Sequence, residues 1–134
     1  MQQYYLRRTA GILLPIFSLP GGWGMGSLGQ PAYDFLQFLQ AAGQHVWQIL
    51  PVGPTGCANS PYQSPSAFAG SPDLIDMDLL IADGLLQKAD CAALRWGRNQ
   101  NRVDYALVQA NHALLLQKAY AAWKALRPVP GCDT

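Results

Sequence analysis

The feature that most constrains this chain is a long segment almost without charge. Between Arg8 and Asp73 the only residue with a formal charge is Asp34, whereas charges occur at ordinary density after Asp73. The free surface of a small domain normally carries dispersed charges that keep it soluble. We therefore predict that further protein covers this segment, the alternative being an unusually apolar domain that stands alone.

Bulk composition argues against several classes of function. The 134 residues carry a formal net charge of +1 and no basic stripe, which disfavours nucleic acid as a partner. No apolar run reaches the ~18 residues of a membrane span, and the run around Pro15 is too short for a secretion signal. The three cysteines form no CxxC pair and indicate reduced thiols. We expect a cytoplasmic protein with no membrane partner.

Two apolar runs separated by a helical pattern predict an α/β fold. Gly11–Phe17 and Val46–Leu50 are continuous runs typical of strands buried on both faces, although Pro15 places the end of the first at an irregular edge. Between them, Pro31 suits the first turn of a helix that Gly43 ends. The order strand–helix–strand indicates a right-handed crossover between parallel strands.

Beyond residue 72 the pattern is helical. Asp78 is a candidate cap for a short helix that Gly84 ends, and residues 90–97 show a weaker helical pattern. Asp104 is placed to cap a final helix that runs to about Leu126, where two prolines follow. Its predicted apolar stripe consists of Tyr105, Val108, His112, Leu115, Ala119, Ala122 and Leu126.

The loops that follow the two strands are long and share one face of the predicted sheet. They span residues 18–30 and 51–72, against ~2–6 residues for a typical connection of this kind. Because successive parallel strands point the same way, these loops lie where α/β proteins bind ligands. Long loops in that position favour a functional role.

The first loop contains the spacing GxGxxG at residues 24–29, which also occurs in dinucleotide-binding turns. Such a turn starts at the strand end and is paired with an acidic residue about 20 residues on. Here residues 18–23 separate it from the predicted strand, and no acidic residue lies between Asp34 and Asp73. NAD is therefore disfavoured, and the glycines are better explained by sharp turns beneath a neighbouring element.

The second loop combines neutral polar groups with aromatic rings at Tyr62 and Phe68. Its polar members are Thr55, Asn59, Ser60, Gln63, Ser64 and Ser66. Amides and hydroxyls match sugar hydroxyl groups, and rings cover the apolar face of a sugar. A neutral, hydroxyl-rich ligand and an ordinary loop of Asx and Ser turns account for this composition equally well.

No group of residues in the sequence is suited to catalysis or to metal binding. Sugar transfer uses two carboxyl groups that flank the bond, ~5–5.5 Å apart in retaining enzymes. The chain has no glutamate, and Asp34 falls on the polar side of the first helix. Asp76 and Asp78 lack further metal ligands, and His45 and His112 are more typical of core or interface histidines. We predict no catalytic residue, metal or cofactor on this chain.

Two stretches carry a resemblance to a known family. "GILLPIFSLPGGWGMGSLG" and "HVWQILPVGPTGCANSPYQSPSAFAGSPDLID" resemble the 4-α-glucanotransferases of glycoside hydrolase family 77, the amylomaltases or disproportionating enzymes. "QILPVGPTG" and "NSPYQSPSAFAG" are the most specific parts. The resemblance continues through "VDYALVQANHALLLQKAYAAW" and covers nearly the whole chain.

The resemblance implies a (β/α)₈ TIM barrel with inserted subdomains. Its members transfer a segment of 1,4-α-D-glucan to the 4-hydroxyl of glucose or another glucan by retaining double displacement. Residues 1–72 would form the first strand, helix and second strand of the barrel, and residues 73–134 the start of a mostly helical inserted subdomain. The nucleophilic Asp and the acid/base Glu would lie downstream of residue 134.

On this resemblance the chain is an N-terminal fragment, inactive alone, of an enzyme whose partners are α-1,4-glucans or maltooligosaccharides. A non-catalytic carbohydrate-binding remnant is the alternative. Tyr62 resembles the tyrosine that lines the glucan site next to the scissile bond, and Asn59, Ser60 and Gln63 would shape the same loop. Cys57-Ala58 replaces the family's usual Tyr-Gly, so the resemblance does not carry over the accessory glucan contact which that tyrosine provides in some members.

Overall fold

The computed structural model describes residues 9–56, 58–99 and 101–126. Its regular elements are β1 (Gly11–Leu13), α1 (Gln30–Ala41), β2 (Val46–Gln48), α2 (Met77–Ala82), α3 (Lys88–Ala92) and α4 (Tyr105–Leu126). β1 and β2 form a parallel two-stranded sheet, with Gly11 opposite Val46 and Leu13 opposite Gln48. The predicted strand–helix–strand order and the parallel pairing are confirmed.

The first strand is shorter than predicted and less buried. β1 stops at Leu13, and Ile16–Ser18 forms a 3₁₀ turn directly after Pro15. Proline has no N–H to donate to a strand ladder, which explains the early end. The prediction that both strands are buried on both faces is wrong for this chain: Leu13 is 56% exposed and Val46 is 43% exposed, because the described residues do not cover these side chains on the faces of the sheet.

Helix α1 packs on the sheet through one face. Its cap is Gly29, Pro31 lies in the first turn, and the chain leaves the helix at Gly43 in a left-handed conformation with φ +67°. Ala32 contributes to a small apolar cluster with two residues of the segment that follows β1, and the ring of Phe35 meets Trp47 edge to face at 5.0 Å. This cluster holds the start of the first long loop against the helix.

A second apolar cluster joins the helices after residue 72. Its most buried members are Met77, Leu86, Cys91, Leu115 and Ala119. The predicted stripe of α4 is buried at four of its seven positions, namely Val108, His112, Leu115 and Ala119, whereas Leu126 is 68% exposed. The two prolines that follow α4 in the sequence, and that were predicted to end it, lie outside the described residues.

The cap of α2 differs from the prediction. The helix starts at Met77, so its cap is Asp76, whose Oδ1 accepts a hydrogen bond from the Leu79 amide at 2.9 Å. Asp78 instead lies in the first turn and accepts a hydrogen bond from Trp23 Nε1 at 3.0 Å. Both aspartates lie near the helix start in sequence, and these tertiary contacts decide between them.

The other two helix starts agree with the sequence to different degrees. Asp104 caps α4 as predicted, with its Oδ1 accepting from the Leu107 amide at 3.2 Å. The helix predicted at residues 90–97 is instead α3, Lys88–Ala92. It begins earlier because Asp90 Oδ2 accepts a hydrogen bond from the Gln87 amide at 3.1 Å, which fixes the first turn. No helix in the described ranges is long and apolar enough to cross a membrane.

The glycine-rich loop, residues 18–29, runs beneath the helical part of the chain. Gly24 has φ +80° and lies against the Trp96 carbonyl, where a Cβ would come within 2.6 Å of the oxygen. Gly29 lies directly against the Asp76 carboxylate, and Ser27 Oγ donates to Asp76 Oδ2 at 2.5 Å. These glycines therefore permit close approach to a neighbouring element, as the sequence indicates.

We expect Gly29→Ala to destabilise the fold, because the added methyl overlaps a carboxylate that already caps α2 and binds Ser27. The expected loss is about 1–3 kcal/mol in the free energy of unfolding, the range of an overpacked core site. Gly22→Ala is the matched control, since a Cβ there meets nothing within 4 Å. Urea denaturation compares the two, and equal stabilities would contradict the close packing.

Candidate functional site

The second long loop, residues 51–72, is closed at its base and braced from within. The Ser71 amide donates to the Val52 carbonyl at 2.7 Å, which brings the two ends together. Ser64 Oγ donates to the Ser66 carbonyl at 2.7 Å, and Ser66 Oγ accepts from two amides further along the loop. The Ser turns of the sequence interpretation are therefore present, and they lie in the returning half of the loop.

The loop tip, residues 58–63, contains all four predicted site residues. Asn59 adopts a left-handed backbone conformation with φ +53°, and its amide donates to the Gly56 carbonyl at 3.0 Å. The Gln63 amide donates to the Ser60 carbonyl at 3.1 Å, so the tip is a tight turn. Tyr62 projects outward and is 73% exposed. Cys57, which stands where the family usually has the accessory tyrosine, lies outside the described residues.

A glutamine of α4 reaches this tip and was not among the predicted site residues. Gln109 Nε2 donates to Asn59 Oδ1 at 3.3 Å and to Asp73 Oδ2 at 3.3 Å. The sequence carried one signal for it: Gln109 is a polar residue next to Val108 on the buried side of a predicted helix. A polar side chain there requires a hydrogen-bonding partner.

A groove of about 1210 Å³ separates the glycine-rich loop from the segment between α3 and α4. Its walls are residues 17–26 on one side and parts of 96–105 on the other, and the Phe17 and Tyr105 rings approach to 6.3 Å at one end. Its charged lining residues in the described ranges are Arg98 and Arg102, so it holds no carboxylate pair for acid–base chemistry.

His112 is a buried residue of the helical cluster. It is 4% exposed, its ring meets Trp96 edge to face at 5.8 Å, and its Nδ1 has no hydrogen-bonding partner in the described residues. Burial lowers the pKa of His112, and this outweighs the Pro72 carbonyl and the Asp73 charge, which favour the protonated form. The interpretation of His112 as a core histidine agrees with this burial.

The described residues offer no activated nucleophile near the loop tip. Burial, followed by the charges of Asp78 and Asp90, raises the pKa of Cys91, which keeps it a thiol inside the helical cluster. Burial and then Asp73 raise the pKa of Tyr105. Within these ranges no cluster of three or more His, Cys, Asp or Glu side chains is placed to hold a metal ion. The tip therefore offers neutral hydrogen-bonding groups and one free aromatic ring.

Comparison with known protein families gives the class of protein to which this chain belongs. The family model described as 4-alpha-glucanotransferase, glycoside hydrolase family 77, matches residues 14–128. The chain belongs to this family, as its motifs predict. The match contains both long loops and the whole of α4.

Individual relatives agree with the family match. The 4-alpha-glucanotransferases of Streptococcus pneumoniae and Thermus thermophilus are each 48% identical to this chain, over 113 and 119 residues. These regions are 84% and 89% of this chain but 22% and 23% of the relatives. The chain therefore spans less than a quarter of the length of the relatives it matches.

A solved structure shares the fold. It is an amylomaltase from Streptococcus agalactiae in complex with acarbose, 42% identical, with a TM-score of 0.83. The superposition covers 87% of this chain and 23% of that protein. The α/β arrangement described above is thus the arrangement of the corresponding part of an amylomaltase.

We expect the stability of the chain to fall as the pH drops from about 7 to about 5.5, through the ordinary pKa of histidine. Because the pKa of His112 is lowered in the folded state, the unfolded state takes up the proton more readily and is stabilised relative to the folded state. His112→Gln should reduce the slope of unfolding free energy against pH. His45→Gln, at an exposed histidine, is the matched control, and equal slopes in the two variants would contradict the assignment.

Proposed function

We propose that this chain is the N-terminal portion of a 4-α-glucanotransferase. The whole protein would transfer a segment of 1,4-α-D-glucan to the 4-hydroxyl of glucose or another glucan, by retaining double displacement. The proposal rests on the family match over residues 14–128. The relatives named 4-alpha-glucanotransferase are much longer, since the matched regions are 22% and 23% of their length. Maltooligosaccharides and longer α-1,4-glucans are the proposed ligands.

In the proposed architecture, residues 1–72 contribute the first strand, first helix and second strand of a TIM barrel. Residues 73–134 begin a mostly helical inserted subdomain. Two observations support this division: β1 and β2 are parallel and no other strand of the described residues pairs with their outer edges, and Leu13, Val46 and Phe38 are exposed although apolar. A complete barrel takes about 250 residues, and its later strands would cover this surface.

The proposed role of the loop tip is to hold a glucose unit of the substrate. The Tyr62 ring is free to lie against the apolar face of a sugar ring, while Asn59, Ser60 and Gln63 shape the turn that presents it. The absence of ionic groups from residues 58–63 suits a neutral polymer, because no charge has to be desolvated on binding. The carboxyl groups for double displacement would come from strands beyond residue 134.

Tyr62→Ala in the full-length protein should lower kcat/KM for maltotriose disproportionation by about tenfold or more, the effect of losing one well-packed ring. The melting temperature should stay close to that of the parent, because the ring is exposed in this part of the fold. Tyr62→Phe keeps the ring and should retain most of the activity. Unchanged kinetics in the alanine variant would remove Tyr62 from the glucan site.

The isolated 134-residue chain should not disproportionate maltotriose, since its described residues contain no pair of carboxyl groups at the loop face. Product analysis after incubation with maltotriose, with a full-length relative as the positive control, checks this. Glucose and maltopentaose, the products of maltosyl transfer between two maltotriose molecules, would refute the fragment proposal if the purified chain formed them. The reading frame downstream of codon 134 separates the enzyme from a non-catalytic remnant: a barrel with Asp and Glu at later strand ends favours the enzyme.

A further inference from the structure

One hydrogen bond links the loop tip to the helices. Among residues 9–56, 58–99 and 101–126, the hydrogen bond from Gln109 Nε2 to Asn59 Oδ1 is the one that joins any atom of residues 53–70 to a residue outside the loop. The other hydrogen bonds of residues 53–70 in these ranges lie within the loop. This bond and the closed base therefore restrain the tip relative to the helices.

Gln109 is well placed to act as a rigid anchor. It belongs to α4 and is flanked on the helix by Val108, which is fully buried, and by His112, which is 4% exposed. A glutamine amide has two N–H groups, and here the nitrogen faces two acceptors, Asn59 Oδ1 and Asp73 Oδ2. One side chain thus ties together the tip of the loop and the segment directly after it.

The tip transmits this constraint to the tyrosine. The left-handed backbone of Asn59 bends the chain sharply, and a Cβ at Gly56 would lie 2.8 Å from the Gln63 carbonyl, so the two sides of the turn nearly touch. Tyr62 lies inside this small turn and is largely free of side-chain packing. The direction in which the Tyr62 side chain leaves the backbone therefore follows from the turn to which Asn59 belongs.

We propose that Gln109 is a positioning residue for substrate: it fixes Asn59, and through Asn59 presents the Tyr62 ring to the glucan. The part that concerns glucan rests on the proposed function, whereas the positioning of the loop does not. Gln109 itself touches no substrate in this proposal. It acts through the two hydrogen bonds of its amide.

The first test removes those hydrogen bonds. In Gln109→Leu, ¹⁵N relaxation should show lower order parameters at residues 58–63, while α4 keeps its helical shifts. Gln117→Leu, at an exposed position of the same helix, is the matched control and should leave the tip unchanged. An equally rigid tip in Gln109→Leu would overturn the proposal, whether or not the chain binds glucan.

The second test exchanges hydrogen-bond donors and acceptors. If Gln109 acted through packing alone, this exchange would not restore the tip. Gln109→Glu places a carboxylate against the Asp73 carboxylate, and their repulsion should push the side chain away from Asn59 and release the tip. Adding Asp73→Asn removes that repulsion and supplies an amide donor, and with the new carboxylate held in place the Asn59 amide can rotate to donate to it, so the double variant should restore the order parameters. Failure of the double variant to restore them, with both proteins folded, would contradict positioning through these bonds.

A separate experiment tests the link to function: titration of the chain with maltoheptaose measures its affinity for a glucan. We expect Gln109→Leu to weaken binding by about fivefold, the factor of one neutral hydrogen bond, and the double variant to restore it. Tyr62→Ala should abolish the binding that remains. If the parent chain shows no binding, or Tyr62→Ala leaves it unaltered, the proposed glucan site fails on this chain, while the order parameters still decide the role of Gln109.

Discussion

The buried carboxylate of Asp76 joins the two parts of the chain, and much of the fold depends on it. One oxygen caps α2 and the other accepts the Ser27 hydroxyl of the glycine-rich loop. Burying a carboxylate is unfavourable unless hydrogen bonds compensate it, so both donors have to be in place. Gly29 lies against the same group, which explains why the chain has no side chain there. The strand–helix–strand unit and the helical part are consequently held in one arrangement.

The order of elements could be predicted from the sequence because it depends on local patterns. Continuous apolar runs marked both strands, and Asp104 with a helical stripe marked α4. Other details depend on tertiary contacts. Asp76 and Asp78 are both plausible caps by spacing, and the Ser27 and Trp23 contacts decide their roles. The exposed faces of β1 and β2 were missed because an apolar run predicts that a strand is covered without showing which residues of the chain cover it.

The candidate site was also predicted only in part, because local motifs locate the loop residues but not their partners from distant parts of the chain. The family motif located Tyr62 and its neighbours, and the structure gathers all four into one tight turn. Gln109 lies 50 positions after Asn59, and nothing in the local sequence pattern connects the two residues. The packing of α4 in the folded chain brings them together. The roles of these residues toward a glucan remain proposals, carried by the family match and by the neutral, exposed chemistry of the tip.

The outer edges of the parallel strand pair, which no other described strand covers, have a consequence for biosynthesis. Neither β1 nor β2 carries a lysine or another charge that would discourage pairing with a foreign strand. If the chain is the start of a barrel, later strands reach these edges only as synthesis proceeds, at about 5–20 residues per second. The nascent protein would therefore present two unpaired strand edges for many seconds before its own later strands cover them.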